Sequence, residues 1–260
     1  MARRPAPPGS ERAFVTALAR GLDVLRCFKP DEPFLGNQDI AARVGLPRST
    51  VSRLTGTLTE LGYLRYVEAR AKYELGPAML AFSVPQVASA ALRRRARPLM
   101  QTLADAVRAS VSMGVQDGTS MVYVENCRSL AAITLSAEVG GRLPMAATAM
   151  GRAFLAAASD AEREYLMHRL QLEHPAKDWK QLRAGIERER LAYERHGYCV
   201  SLGEWYEDVH AVAVPLLPAD GSPTVVLSVG GAAYQLSASM IHEDIGPRLV
   251  QAVRALSAPA

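Results

Sequence analysis

Residues 45–54 read GLPRSTVSRL, inside a longer run from Ile40 to Thr59 that holds Arg43, Arg48 and Arg53 but no Asp or Glu. A glycine, a proline and then regular apolar spacing predict a helix end, a tight turn and a second helix. The first helix is expected from Asn37, as its cap, through about Val44, with Gly45 ending it. The second runs from Pro47 to Leu61, with Gly62 as its stop. Ala41 is small where the two helices approach, and Ile40, Val44, Leu46, Val51 and Leu54 fall where they must grip each other. What remains outward on the second helix is Arg48, Ser49, Thr50, Ser52, Arg53 and Thr57. These side chains reach phosphates and base edges, and Arg can grip guanine through two hydrogen bonds. An acid on that face would meet phosphate repulsion, which accounts for its absence.

Working outward, Phe14, Leu18, Leu22, Leu25 and Phe28 form one stripe of a helix expected over residues 11–28. On the other side, YLRYV and YEL read as two short strands about the turn EARAK. They set Arg65, Arg70 and Lys72 beside the second helix like a wing. Residues 11–76 thus read as a winged helix-turn-helix that binds double-stranded DNA. Residues 1–10, MARRPAPPGS, read as a flexible arm without the apolar core of a secretory signal.

The charge agrees. Of the 260 residues, 1–76 hold 12 Lys/Arg against 8 Asp/Glu, while the remainder holds 18 of each. Arg93, Arg94, Arg95 and Arg97 stand together at a junction and are read as a solvated or inter-subunit face, or as phosphate contacts. No apolar run approaches the ~20 residues that span a bilayer. Three cysteines without a CxxC pair fit a reducing cytoplasm.

Residues 77–97 read as a linker helix, interrupted at Pro85, with Pro98 opening a further helix. Residues 98–260 read as a second domain of α+β class. SVSMGVQDG, SMVYVENC and AAITLSAEVG alternate like strands; PMAATAMGRAFLAAAS leads from a loop into a helix; residues 159–196 are mainly helical. CVSLGEW, HAVAVPLL and PTVVLSVGG are further strands, and 240–256 an amphipathic helix. Helices then flank a mostly antiparallel sheet.

Enzyme signatures are weak. There is no GxSxG elbow, no P-loop, and the glycine pairs at 140–141 and 230–231 lack a strand–GxGxxG–helix setting. His196, Cys199 and His210 are a poor metal set without a second close pair. Glu204, Glu207 and Asp208 read as a solvated rim rather than paired catalytic carboxylates. No catalytic residue, metal or cofactor is expected.

ALARGLDVLRCF, DIAARVGLPRSTVSRLTGTLTELGYLRY and YELGPAML resemble the N-terminal domain of IclR-type bacterial transcriptional regulators. VGGRLPMAATAMGRAFLAA and HGYCVSLGEWYEDVHAVAVPLL resemble that family's effector domain. The resemblance implies a GAF-like ligand domain and homodimers or homotetramers on palindromic operators. It places an effector against the sheet, beneath the LPMAATAMG loop. Carried over, the site takes Leu143, Met145, Ala146 and Ala147 from that loop, Met113 and Tyr123 from the early strands, and Trp205, Ala211, Ser228 and Gly230 from the late ones. Small-acid sensors of the family have Cys where this chain has Ala211 and Ser where it has Gly230. The departures point away from a glyoxylate-like ligand and toward an aromatic or other apolar organic acid. The expectation is a cytoplasmic, effector-responsive regulator, a repressor in sign. The alternatives are a DNA-binding protein with a ligand-blind second domain, or a metal- or redox-responsive regulator.

Overall fold

The computed structural model describes residues 14–29, 31–79, 87–129, 138–218 and 222–257. The 1–10 arm, Pro85 and most of the strand expected in AAITLSAEVG lie outside them. The chain divides between Val87 and Ala88 into two compact units.

The first unit contains helices α1 (Thr16–Leu25), α2 (Asn37–Val44) and α3 (Arg48–Glu60), then a hairpin of β1 (Leu64–Val67) and β2 (Lys72–Leu75). Gly45 takes φ +67°, the left-handed turn that only glycine adopts cheaply, and lets α3 fold back on α2. Val24, Leu35, Ile40, Val51 and Leu64 form the core, with Ala41, Val44, Leu46 and Leu54 packed against it. Two expectations change. Gly36, not Asn37, caps α2: its N–H donates to Asp39 Oδ2 at 2.9 Å. Asn37 lies inside the helix, and its Oδ1 accepts from the buried Thr55 hydroxyl of α3 at 3.0 Å. The α1 stripe divides, because only its C-terminal end meets α2 and α3: Phe14, Leu18 and Leu22 are exposed, while Leu25 and Phe28 join the core.

The second unit opens with α4 (Val87–Val107), followed by β3 (Ser110–Asp117), β4 (Ser120–Arg128) and β5 (Arg142–Pro144). Helices α5 (Ala149–Ala157), α6 (Asp160–Glu173) and α7 (Ala176–His196) precede β6 (Cys199–Leu202), β7 (Val209–Leu216) and β8 (Val225–Ala232). A short turn Ala238–Met240 and a π-helical stretch Ile241–Ile245 lead into α8 (Gly246–Ser257). The six strands run in the order β5-β4-β3-β8-β7-β6, each pair antiparallel.

Strand alternation sorts the residues between two faces. Val111, Met113, Val212, Val214, Leu227 and Val229 pack against α4 and α8. Met121, Ala213 and Val226 pack against α5, α6 and α7. Pro98 does not open a new helix; it lies inside α4. The lost backbone hydrogen bond costs about 3 kcal/mol. Burial of Ala96 and Met100 on either side of the proline offsets it, because both sit in the same core. The arginine cluster serves this packing. Arg93 and Arg97 reach the buried Glu125 of β4 at 3.2 and 2.7 Å, and Arg95 donates to the Leu256 carbonyl at 3.3 Å. Arg94, Arg95 and Arg97 remain exposed, as a solvated face would be, while these bonds fasten this part of α4 to the second unit.

Candidate functional site

In the first unit, Val51 and Thr55 turn α3's inner face to the core. Its other face carries Arg48, Ser49, Ser52, Arg53 and Thr57 exposed, with Thr50 half-buried. Thr57 Oγ1 donates to the Arg53 carbonyl at 3.0 Å and so belongs partly to the helix. Arg48 and Arg53 carry no ion pair among the described residues. The hairpin cations differ. Arg65 pairs with Glu74, Lys72 Nζ lies 3.5 Å from Asp39, and the Arg70 guanidinium sits 4.2 Å over the Phe34 ring. The wing's positive charge is therefore largely matched within its own domain, while the two α3 arginines are open to an outside anion.

In the second unit, a cavity of about 270 Å³ lies between the sheet and α5. Six of the ten carried-over residues line it: Tyr123, Leu143, Trp205, Ala211, Ser228 and Gly230. Met113 does not, because it alternates onto the α4 face of the sheet. Met145, Ala146 and Ala147 form the turn behind the wall; Met145 and Ala146 are fully buried core, and Ala147 accepts a hydrogen bond from Ser201 at 2.9 Å. Sequence reasoning missed Ser110, Ser112, Thr148, Ala149, Met150, Tyr206 and Val209. Period-2 alternation along β3 was the available signal: if Met113 faces one side, Ser110 and Ser112 face the other.

Among the described residues the lining holds no charged side chain. Ser112 donates to Asn126 at 2.9 Å, and Thr148 donates to the Pro144 carbonyl at 2.8 Å while accepting from Gly151. Ser110 and Ser228 are more than nine-tenths buried and make no side-chain hydrogen bond among the described residues. Burial pushes the Tyr123 phenol up to about 12, so it stays protonated. Thr148, Ala149 and Met150 bring the amide end of α5 to the cavity wall. Gly151 makes this possible, since a Cβ there would strike the Met145 backbone.

The other candidates disperse. Cys199 donates to the Glu189 carbonyl, His210 meets the Leu236 carbonyl at 2.7 Å, and His196 stacks on Tyr198. Among the described residues no group of three His, Cys, Asp or Glu side chains is placed to hold a metal ion. All three cysteines are buried, and burial pushes each thiol up, away from the reactive thiolate. Glu204, Glu207 and Asp208 are exposed, and Glu204 also pairs with the buried Arg152 and with Arg188. No helix of the described residues is long and apolar enough to cross a membrane.

An open, cationic second helix of a helix-turn-helix and a ligand-sized cavity in an α+β partner unit define a DNA-binding regulator. Comparison with known proteins agrees. Residues 17–68 match the IclR helix-turn-helix domain, and residues 85–258 match the bacterial transcriptional regulator IclR C-terminal domain. The HTH-type transcriptional regulator TsaQ1/TsaQ2 of Comamonas testosteroni is 36% identical over 96% of this chain and 90% of its own length. An IclR family transcriptional regulator from Brucella abortus has a crystal structure that superimposes with a TM-score of 0.84 at 41% identity, over 98% of this chain and 96% of that one. An IclR homologue from Microbacterium hydrocarbonoxydans, solved in complex with 4-hydroxybenzoate, gives a TM-score of 0.70 at 25% identity, over 92% of this chain and 99% of that one. This chain belongs to the IclR family of bacterial transcriptional regulators.

Proposed function

We propose that the protein is a cytoplasmic regulator whose operator affinity responds to a small aromatic carboxylic acid bound in the cavity of the second unit. The observation that carries this reading is a cavity with apolar and aromatic walls and, among the described residues, no charged lining residue and two buried serines without partners. About 150 Å³ suffices for benzene, so 270 Å³ admits one ring with polar substituents. With no cation in the lining, the counter-charge for a carboxylate is the amide end of α5. Ser110, Ser228 and Tyr123 offer hydrogen bonds to a carboxylate or a ring hydroxyl. Ala211 and Gly230 leave apolar space where a smaller, more polar acid would need partners. The 4-hydroxybenzoate found in the Microbacterium homologue has this chemistry.

Operator recognition falls to Arg48, Ser49, Thr50, Ser52, Arg53 and Thr57 in the major groove, with Arg65, Arg70 and Lys72 near the backbone. One module of this size makes too few contacts for a specific site, so two or four copies act on a palindrome.

The test is fluorescence anisotropy of the full chain on DNA from upstream of its own gene, against scrambled duplex, with 4-hydroxybenzoate and glyoxylate titrated in. Preference for the native DNA, lost in Arg48→Ala/Arg53→Ala, together with a response to the aromatic acid alone, is the expected result. A response to glyoxylate alone would reverse the ligand reading. Equal binding to scrambled DNA would remove the operator reading.

A further inference from the structure

Trp205 and Tyr206 both line the cavity, and their ring centroids are 4.4 Å apart. Neither sits on a strand or helix; both belong to the connection between β6 and β7. Two backbone bonds shape that connection locally, Gly203 N–H to the Val209 carbonyl and Val209 N–H to the Tyr206 carbonyl, each 3.0 Å. What fastens it to the helices is the neighbouring Glu204. Arg152 of α5 donates Nη2 to Glu204 Oε2 at 2.5 Å, and Arg188 of α7 donates Nη2 to Glu204 Oε1 at 2.5 Å.

Arg152 is an unusual anchor. It is 1% exposed, among the largest fully buried side chains of the protein. Its Nε also donates to the Ala146 carbonyl at 3.0 Å, within the turn that leads into α5. One guanidinium thus ties the Trp205 connection to the turn behind the cavity wall that the start of α5 forms. α7 has Gly185 where Arg152 passes; a Cβ there would come within 2.7 Å of Arg152 Nη2. Packing alone does not call for this arrangement. An apolar side chain of similar volume is commonly as stabilising as a buried ion pair, so what the pair adds is a defined geometry. The geometry it defines is the distance between the two walls of the cavity.

We propose that Arg152 and Glu204 are positioning residues that set the aperture of the cavity: their pairing, with Arg188 as the second cation, holds Trp205 and Tyr206 over its mouth. The proposal rests on the effector reading of the cavity only in its consequence, that a held roof favours a single-ring ligand over a larger one.

The test uses the full chain labelled with 5-fluorotryptophan. Its two tryptophans, Trp179 and Trp205, give two fluorine resonances, assigned with Trp205→Phe. Glu204→Gln should shift or broaden the Trp205 resonance and leave that of Trp179 in place. Arg188→Lys, which keeps a cation, should stay near the parent, and Arg188→Ala should move part of the way. With 4-hydroxybenzoate and 1-naphthoate as probes, Glu204→Gln should narrow the preference for the single ring at least three-fold. An unmoved Trp205 resonance in folded Glu204→Gln protein overturns the proposal. Should that variant fail to fold, Arg188→Ala leaves Arg152 paired, and an unmoved Trp205 resonance there overturns it equally. If the variants move Trp205 while neither acid perturbs the parent spectrum, the positioning role is supported and the aromatic-acid reading of the cavity fails.

Discussion

Tyr123 and Glu125 are two residues apart on β4, yet they face opposite sides of the sheet. Gly114 pairs with Tyr123 and Met113 with Glu125, so Val124 is the extra residue of a β-bulge. The bulge breaks the alternation that would have placed both side chains together. Tyr123 thereby lines the cavity, and Glu125 meets Arg93 and Arg97 of α4.

Glu125 is nearly buried while its arginines are largely exposed, so the pair should stabilise α4 by less than a fully buried one. Glu125→Ala is expected to cost about 1.5–3 kcal/mol, the range for hydrogen bonds to charged groups. Hydrogen exchange in the full chain should accelerate in α4 while α3 stays protected. Unchanged exchange in α4 would reduce the contact to a surface pair.

On α3, Arg53→Ala should cost about 1–3 kcal/mol on cognate DNA and relax preference at one base pair. Lys72→Ala should cost less and act alike on every sequence, because Lys72 is already near Asp39. Anisotropy on a set of single-base variants separates the two. Equal loss on cognate and random DNA for Arg53→Ala would make it a phosphate contact.

Thr55 is fully buried and its hydroxyl joins α3 to Asn37 of α2. Thr55→Val keeps the shape and removes the donor, so a loss of about 0.5–1.5 kcal/mol is expected. Thermal unfolding and exchange over α2 and α3 report it. A variant as stable as the parent would show that water serves Asn37 equally well.

Glu204 supplies the pH prediction. Burial alone would raise its carboxyl; the hydrogen bonds and charges of Arg152 and then Arg188 more than offset that, and hold it below the ordinary 4.5. The folded state then binds fewer protons than the unfolded one. Its stabilisation is full above the unfolded value and is lost as pH falls through the lowered folded value. The urea-midpoint difference between the parent and Glu204→Gln should stay constant from neutrality to about pH 5 and shrink below that. A difference that grows on acidification would reverse the sign of the argument.

Much of this was legible in order along the chain. Gly45, Pro47 and the spacing of Ile40, Val51 and Leu54 located the helix-turn-helix, and alternation located β3, β4, β7 and β8. The less legible features depend on partners far away in sequence. Pro98 reads as a helix start until Ala96 and Met100 are seen in one core. Arg65 and Lys72 read as free wing cations until Glu74 and Asp39 are seen beside them. Nothing local to the alanine-rich helix marks Arg152 as buried; its partner Glu204 lies 52 positions later.

By itself, then, the sequence determined the two-unit plan, the helix-turn-helix, and the acid-free polarity of the open face of α3. Those properties follow from local periodicity, turn chemistry and charge, which act over a few residues. Only the tertiary structure decided which strand residues share the cavity and which arginines are open and which are paired. A single bulge at Val124 or a single buried guanidinium at Arg152 sets those outcomes, because each depends on which distant groups the fold brings within hydrogen-bond reach.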